Sequence, residues 1–148
     1  MWSLQTDDYL VVERTLDGDT VRTFRGAFDP VPVTREDVDR ALESLSWFEG
    51  RVDRGRIPDT HPPVQAFLRD DLDHTWVLRS ASDSESETQG WDVFSPEGIY
   101  QGGVELPYEV AWTTAPVFRN GFLYGLVRDE LGVSFIVKAR IHRDSDIS

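Results

Sequence analysis

Apolar and polar residues alternate along most of this chain, and the alternation gives way in one region. Tyr9–Arg14 and Thr20–Phe24 are rich in β-branched and aromatic residues. They flank Leu16-Asp17-Gly18-Asp19, where glycine tolerates positive φ and the aspartates bond nearby amides, so the two segments predict a hairpin. Pro30 and Pro32 end this pattern. Thr34-Arg35-Glu36-Asp37 then has the form of a capping box, and Val38, Ala41, Leu42, Leu45 and Phe48 follow at helical spacing up to a stop at Gly50. The spacing predicts a helix over 35–48. Its Val38/Leu42/Leu45 face is expected to pack on a neighbouring β surface, with Glu36, Asp39 and Glu43 in water. Residues 51–63, with Gly55 and three prolines, read as a linker.

From Val64 the β pattern returns and persists. Val64–Leu68, Thr75–Arg79, Trp91–Phe94, Tyr100–Leu106, Val117-Phe118, Phe122–Arg128 and Val133–Ile141 read as strands. Asp70–His74, Ser95–Gly98 and Arg119-Asn120-Gly121 supply turns between them, and Ser80–Gln89 is a polar loop. Gly102-Gly103 lies inside a strand and marks a bulge or a close backbone contact. Short strands about ten residues apart, joined by turns, predict an all-β sandwich, barrel or propeller. Trp2 in MWSL, Trp76 in TWVL and Tyr124 in LYGL resemble one repeated position. Trp76 and Tyr124 are about 48 residues apart, and Trp2 and Trp76 about 45 once positions 34–62 are set aside. A period of this size, made of four strands, is that of a propeller blade.

The segment PPVQAFLRDDLDHTWVLRS, followed by GWDVFSPEGIYQGGVELP, resembles one blade of the six-bladed β-propeller proteins of the NHL-like type. The match is carried by Phe67-Leu68, Asp70/Asp71/Asp73, Trp76-Val77, Trp91–Phe94, Glu97-Gly98 and Leu106-Pro107; it departs at His74, where a turn glycine is usual. The resemblance implies a partial β-propeller of about two and a half four-stranded antiparallel blades with one inserted helix. An incomplete blade would occupy 1–26, the helix and linker insertion 34–62, a complete blade 64–106, and a last blade lacking its outer strand 116–141. It implies that the chain is the C-terminal part of a larger propeller. It also implies that the full-length relatives are exported, as periplasmic proteins or lipoproteins. Open blade edges would then invite self-association, and faces carrying Phe118, Phe122, Tyr124, Phe135 and Val137 would be partly uncovered.

Charge changes the picture of partners. The formal net charge is −12, and no Lys/Arg cluster stands out, so nucleic acid and anionic membrane surfaces are not the expected partners. No apolar run is long enough to span a bilayer. The absence of cysteine removes disulfides, thiol catalysis and cysteine-ligated zinc.

The chemistry-bearing motifs are few. His61, His74 and His142 stand at no metal-ligating spacing, and there is no G-x-S-x-G elbow and no phosphate-cradling glycine loop. Catalytic residues and cofactors are therefore not expected. Asp70, Asp71 and Asp73 are weak calcium candidates that read better as backbone caps of a hairpin turn. Trp2, Trp76 and Trp91 suit core positions. Tyr108 and Trp112 lie in the Pro107–Ala115 connection, which the resemblance places at the mouth of a propeller, and they are the candidate ligand contacts. The expected function is a non-enzymatic binding or scaffold module for a peptide, glycan or small molecule. The alternative is part of a metal-dependent hydrolase or lactonase resembling gluconolactonase-type propellers, inactive as this stretch alone.

Overall fold

The computed structural model of the chain describes residues 2–5, 8–45, 53–80, 88–111 and 114–142. Among these residues ten strands form three antiparallel sheets in chain order. The first holds β1 (Trp2–Gln5), β2 (Leu10–Arg14) and β3 (Thr20–Arg25). The second holds β4 (Val64–Arg69), β5 (Thr75–Arg79), β6 (Gln89–Phe94) and β7 (Tyr100–Leu106). The third holds β8 (Val117–Arg119), β9 (Phe122–Arg128) and β10 (Ser134–Arg140). With a single α-helix among the described residues, α1 (Arg35–Ser44), and a 3-10 turn at Arg54–Arg56, the class is all-β as the alternation predicts.

Four of the hairpins close with one and the same five-residue turn: Thr15–Asp19, Asp70–His74, Ser95–Ile99 and Asp129–Val133. In each, the first residue's amide donates to the fifth carbonyl and the fourth amide donates back to the first carbonyl. The first side-chain oxygen accepts from the fifth amide every time, at 2.8–3.3 Å. The fourth residue must take positive φ, and it is Gly18, Asp73, Gly98 or Gly132. The departure noted at His74 therefore leaves the turn intact. The left-handed position is Asp73 (φ 65°), a residue type that tolerates it, and Asp73 also pairs with Arg69 at 3.0 Å.

Alternation along the strands gives the second sheet two apolar faces. One carries Phe67, Val77 and Phe94 and packs on Tyr9, Val11 and Phe24 of the first sheet. The other carries Leu68, Trp76, Leu78 and Trp91 and packs on Phe118, Leu123 and Val127 of the third. The second sheet is thus the middle layer. Fully burying a side chain such as Leu78 or Phe24 contributes about 1.5–3 kcal/mol. Gln89 ties the middle layer to the chain that leads into the third sheet: its Nε2 donates to the Val110 carbonyl and its Oε1 accepts from Trp91 Nε1, both at 3.0 Å. The bulge expected near Gly102 is present, with φ 131° and a register shift opposite Val93/Phe94.

The helix starts as the capping box predicts: Thr34 Oγ1 accepts from the Asp37 amide while Asp37 Oδ2 accepts from the Thr34 amide. The helix ends at Ser44 with Leu45 as its C-cap, short of the expected 48, which itself lies outside the described residues. The packing differs from expectation. The apolar stripe of α1 faces the extended segment 57–62, and Leu45 stays 41% exposed. That segment is more than a linker. Pro32 bridges Thr60, the Val33 amide donates to Asp59, and the His61 amide donates to Val31, so the two ends of the helical excursion are drawn together.

Candidate binding surface

The structure places some of the residues singled out in the sequence. Tyr108 is half-buried, packed against the core between the second and third sheets. Trp112 lies outside the described residues. Asp70 is buried and accepts from the Leu72 and His74 amides and from Trp76 Nε1. Burial raises its pKa, but these donors together with the nearby His74 outweigh burial and hold it below the ordinary aspartate range. Asp71 accepts from the Asn120 amide at 2.6 Å. Among the described residues no group of three His, Cys, Asp or Glu gathers as a metal set. Trp76 and Trp91 are core residues; nothing in the described residues defines the Trp2 side chain.

A polar cluster with a buried centre joins the first two sheets. Tyr9 Oη donates to Asp92 Oδ2 at 2.6 Å, Tyr100 Oη lies 3.3 Å from Asp92 Oδ1, and Arg79 bridges Asp92 and Glu105. Burial, then the bond to Asp92, pushes the Tyr9 phenol far above its usual range, so it remains a donor. Tyr9 and Asp92, only 3% and 6% exposed, fasten the two layers, while Tyr100, Arg79 and Glu105 reach the surface. A second feature is a cleft of about 310 Å3 between α1 and 57–62, lined by Val38, Leu42, Ile57 and Pro58. His61 Nε2 lies 3.2 Å from Asp37 Oδ2 at its rim. The bonds from Thr34, then that from His61, lower the Asp37 pKa to about 2.

The outer face of the third sheet has a different character. Register places Val117 and Arg119 of β8 beside Tyr124 and Phe122 of β9. Lys138 and Arg140 of β10 stand across from the same two aromatics, with Ile136 opposite Leu126 and Ser134 opposite Arg128. All share one face, since Leu123, Gly125 and Val127 point into the core. None of its apolar residues belongs to either core cluster, and Val117 and Ile136 are 57% and 77% exposed. Lys138 Nζ lies 4.0 Å from the centroid of the Phe122 ring. Arg119, Arg128 and Arg140 make no ion pair with any described carboxylate, and no Asp or Glu occurs in β8, β9 or β10. The apolar side chains expected to be uncovered thus divide: Phe118 is buried and Val137 packs on the core, while Phe122 and Tyr124 are on the open face. The cations missed in the sequence are all at alternate positions with these aromatics, and strand parity is the signal that brings them together.

No protein-family model matches the chain, and neither a curated protein nor a solved structure resembles it significantly.

Proposed function

We propose that the chain is a non-catalytic binding or scaffold module. Its three sheets act as successive blades of a β-propeller-like array, and it engages its partner through the outer face of the third sheet. Supporting the blade reading are the sheets' face-to-face packing in chain order, the four-stranded meander β4-β5-β6-β7, and the recurrence of one turn in four hairpins. The observation that carries the binding reading is the open face itself, aromatic at its centre, studded with Arg119, Arg128, Lys138 and Arg140, and lacking carboxylates, on a chain of net charge −12. Exposed apolar surface rimmed by charge marks interaction sites.

The test is amide chemical-shift mapping of the whole chain against an acidic peptide, a neutral oligosaccharide and a small aromatic acid. Perturbations should fall on β8–β10. Shifts confined to the α1 cleft, or turnover of a panel of lactones and esters, would overturn the proposal.

A further inference from the structure

The third sheet ends at β10, whose outward edge has no partner strand among the described residues. Ladders in the other sheets are interrupted. Register shifts between Glu13 and Arg14, between Val64 and Ala66, and between Val93 and Phe94. The β9–β10 ladder runs from Ser134↔Arg128 to Arg140↔Phe122 without a shift, and β10 contains neither Gly nor Pro. A straight, regular edge is a template for another strand. The residue that would ordinarily guard it, Lys138, leans inward over the Phe122 ring of the neighbouring strand.

We propose that β10 is the docking edge for an extended acidic segment of a partner protein. The segment adds to the sheet as a strand and sets its alternate carboxylates against Lys138, Arg140 and Arg128. This rests on the binding-module reading above and names the partner's chemistry.

Four observations select that chemistry. A strand added at β10 sets its outward side chains beside Lys138 and Arg140, and taking water from those cations is costly unless each meets an opposite charge. No strand of the sheet supplies one, so the partner must. On the inner side, β10 offers Phe135, 45% exposed, and Val137, so the partner's other set of side chains is apolar. A single-stranded nucleic acid would need free aromatic faces for base stacking, and the Lys138 ammonium occupies that of Phe122. Pairing of β10 with β10 of a second copy sets two basic strands side by side with no acid between them. An added strand meets β10 along an edge about 24 Å long. Such a contact is well below the about 800 Å2 per partner of a stable complex, so the association is transient, with main-chain hydrogen bonds giving much of the affinity.

The experiment uses the full chain and a synthetic peptide alternating valine and glutamate, matched to β10 in length, followed by hydrogen exchange and amide shifts. The peptide should protect β10 amides. Its affinity should fall about tenfold in the K138E/R140E double variant, with the thermal midpoint checked to show an intact fold, and severalfold as salt rises from about 0.05 to about 0.3 M. Methylating alternate peptide nitrogens should abolish binding, because strand addition needs those donors. Equal binding by a valine–lysine peptide, undiminished binding of the methylated peptide, protection of β10 by oligothymidylate, or a β10-mediated dimer in sedimentation would each overturn it. If the valine–glutamate peptide fails while another compound of the panel still shifts β8–β10, this proposal falls and the module reading stands. If nothing shifts that sheet, both fall.

Discussion

The second and third sheets present corresponding faces to very different surroundings. Trp76, Leu78 and Trp91 point from the second sheet toward the third and are 1–3% exposed. Phe122, Tyr124, Leu126 and Ile136 point the same way from the third sheet and meet no further layer among the described residues. Both faces have aromatics at their centre. Only the open one carries cations. A buried face must be free of unpaired charge, since leaving a cation without water or partner costs more than the packing around it returns. Charge on the open face therefore tells what kind of contact it is fitted for. A purely apolar layer, such as the one covering Trp76, does not suit it.

The strongest way to break this contrast is to put a cation on each face. Leu78→Lys places an ammonium in the core between the sheets and should cost several kcal/mol, on the order of the whole stability of a small domain. Ile136→Lys adds the same group to the open face and should change stability by no more than about 0.5 kcal/mol. Denaturant titration of the two variants decides it; equal losses would mean that something covers Ile136.

The recurring turn offers a second comparison. A Cβ on Gly98, in the middle sheet, would lie 2.6 Å from the Phe24 ring, whereas one on Gly132, in the outer sheet, meets nothing within 4 Å. Both glycines have positive φ. Gly132→Ala should cost about 1–2 kcal/mol, from backbone strain alone. Gly98→Ala adds overpacking against a core ring and should cost about 2–5 kcal/mol. A difference of less than about 1 kcal/mol between the two thermal melts would show that Phe24 can move aside.

The middle sheet's polar fastening is the next smaller effect. Tyr9→Phe removes one donor from buried Asp92, which keeps Tyr100 and Arg79 nearby, and should cost about 1–3 kcal/mol. A neutral result in denaturant titration would show that the contact between the first two sheets is apolar in origin. The smallest effect lies off both sheets. With the Asp37 pKa lowered from 3.8 to about 2, the cap's contribution is complete above the unfolded value. It is lost as pH falls through about 2. The Asp37 carboxyl carbon shift should accordingly titrate well below pH 3.8, with α1 intact above it. Titration at the ordinary value would mean that the capping box is open.

Strands and helix start were legible because their signals are local: alternation, a capping box at Thr34/Asp37, and short turns rich in Gly and Asp. The burial of β9 was not. Its two alternating sets, Leu123 and Val127 against Phe122, Tyr124 and Leu126, are both apolar, so period two cannot say which faces inward. Gly125 decides it, since Val110 lies where a Cβ would stand, at 2.4 Å. The recurring turn was hidden too. Its first residue is Thr, Asp or Ser, its fourth Gly or Asp, and it recurs at uneven intervals. Residues 57–62 read as a linker because Pro58 and Pro62 cannot donate to a ladder, although Thr60 and His61 take part in one. Tyr108 was placed at a mouth by the propeller resemblance, and what the structure adds is that its half-buried ring packs against the core.

The pinch between Pro32 and Thr60 bears on how this chain tolerates change in its length. Paired strands hold opposite Cα atoms about 4.5–5.5 Å apart. The chain therefore leaves and re-enters at nearly one point, and whatever is strung between is a detachable excursion. Exchanging residues 34–58 for a two-residue turn should spare the docking of Tyr9, Val11 and Phe24 on Val77 and Phe94, because none of those contacts passes through α1. Closing a loop costs only logarithmically more as it lengthens. A change in the length of the helical excursion would thus leave the packing of Tyr9, Val11 and Phe24 on Val77 and Phe94 nearly untouched.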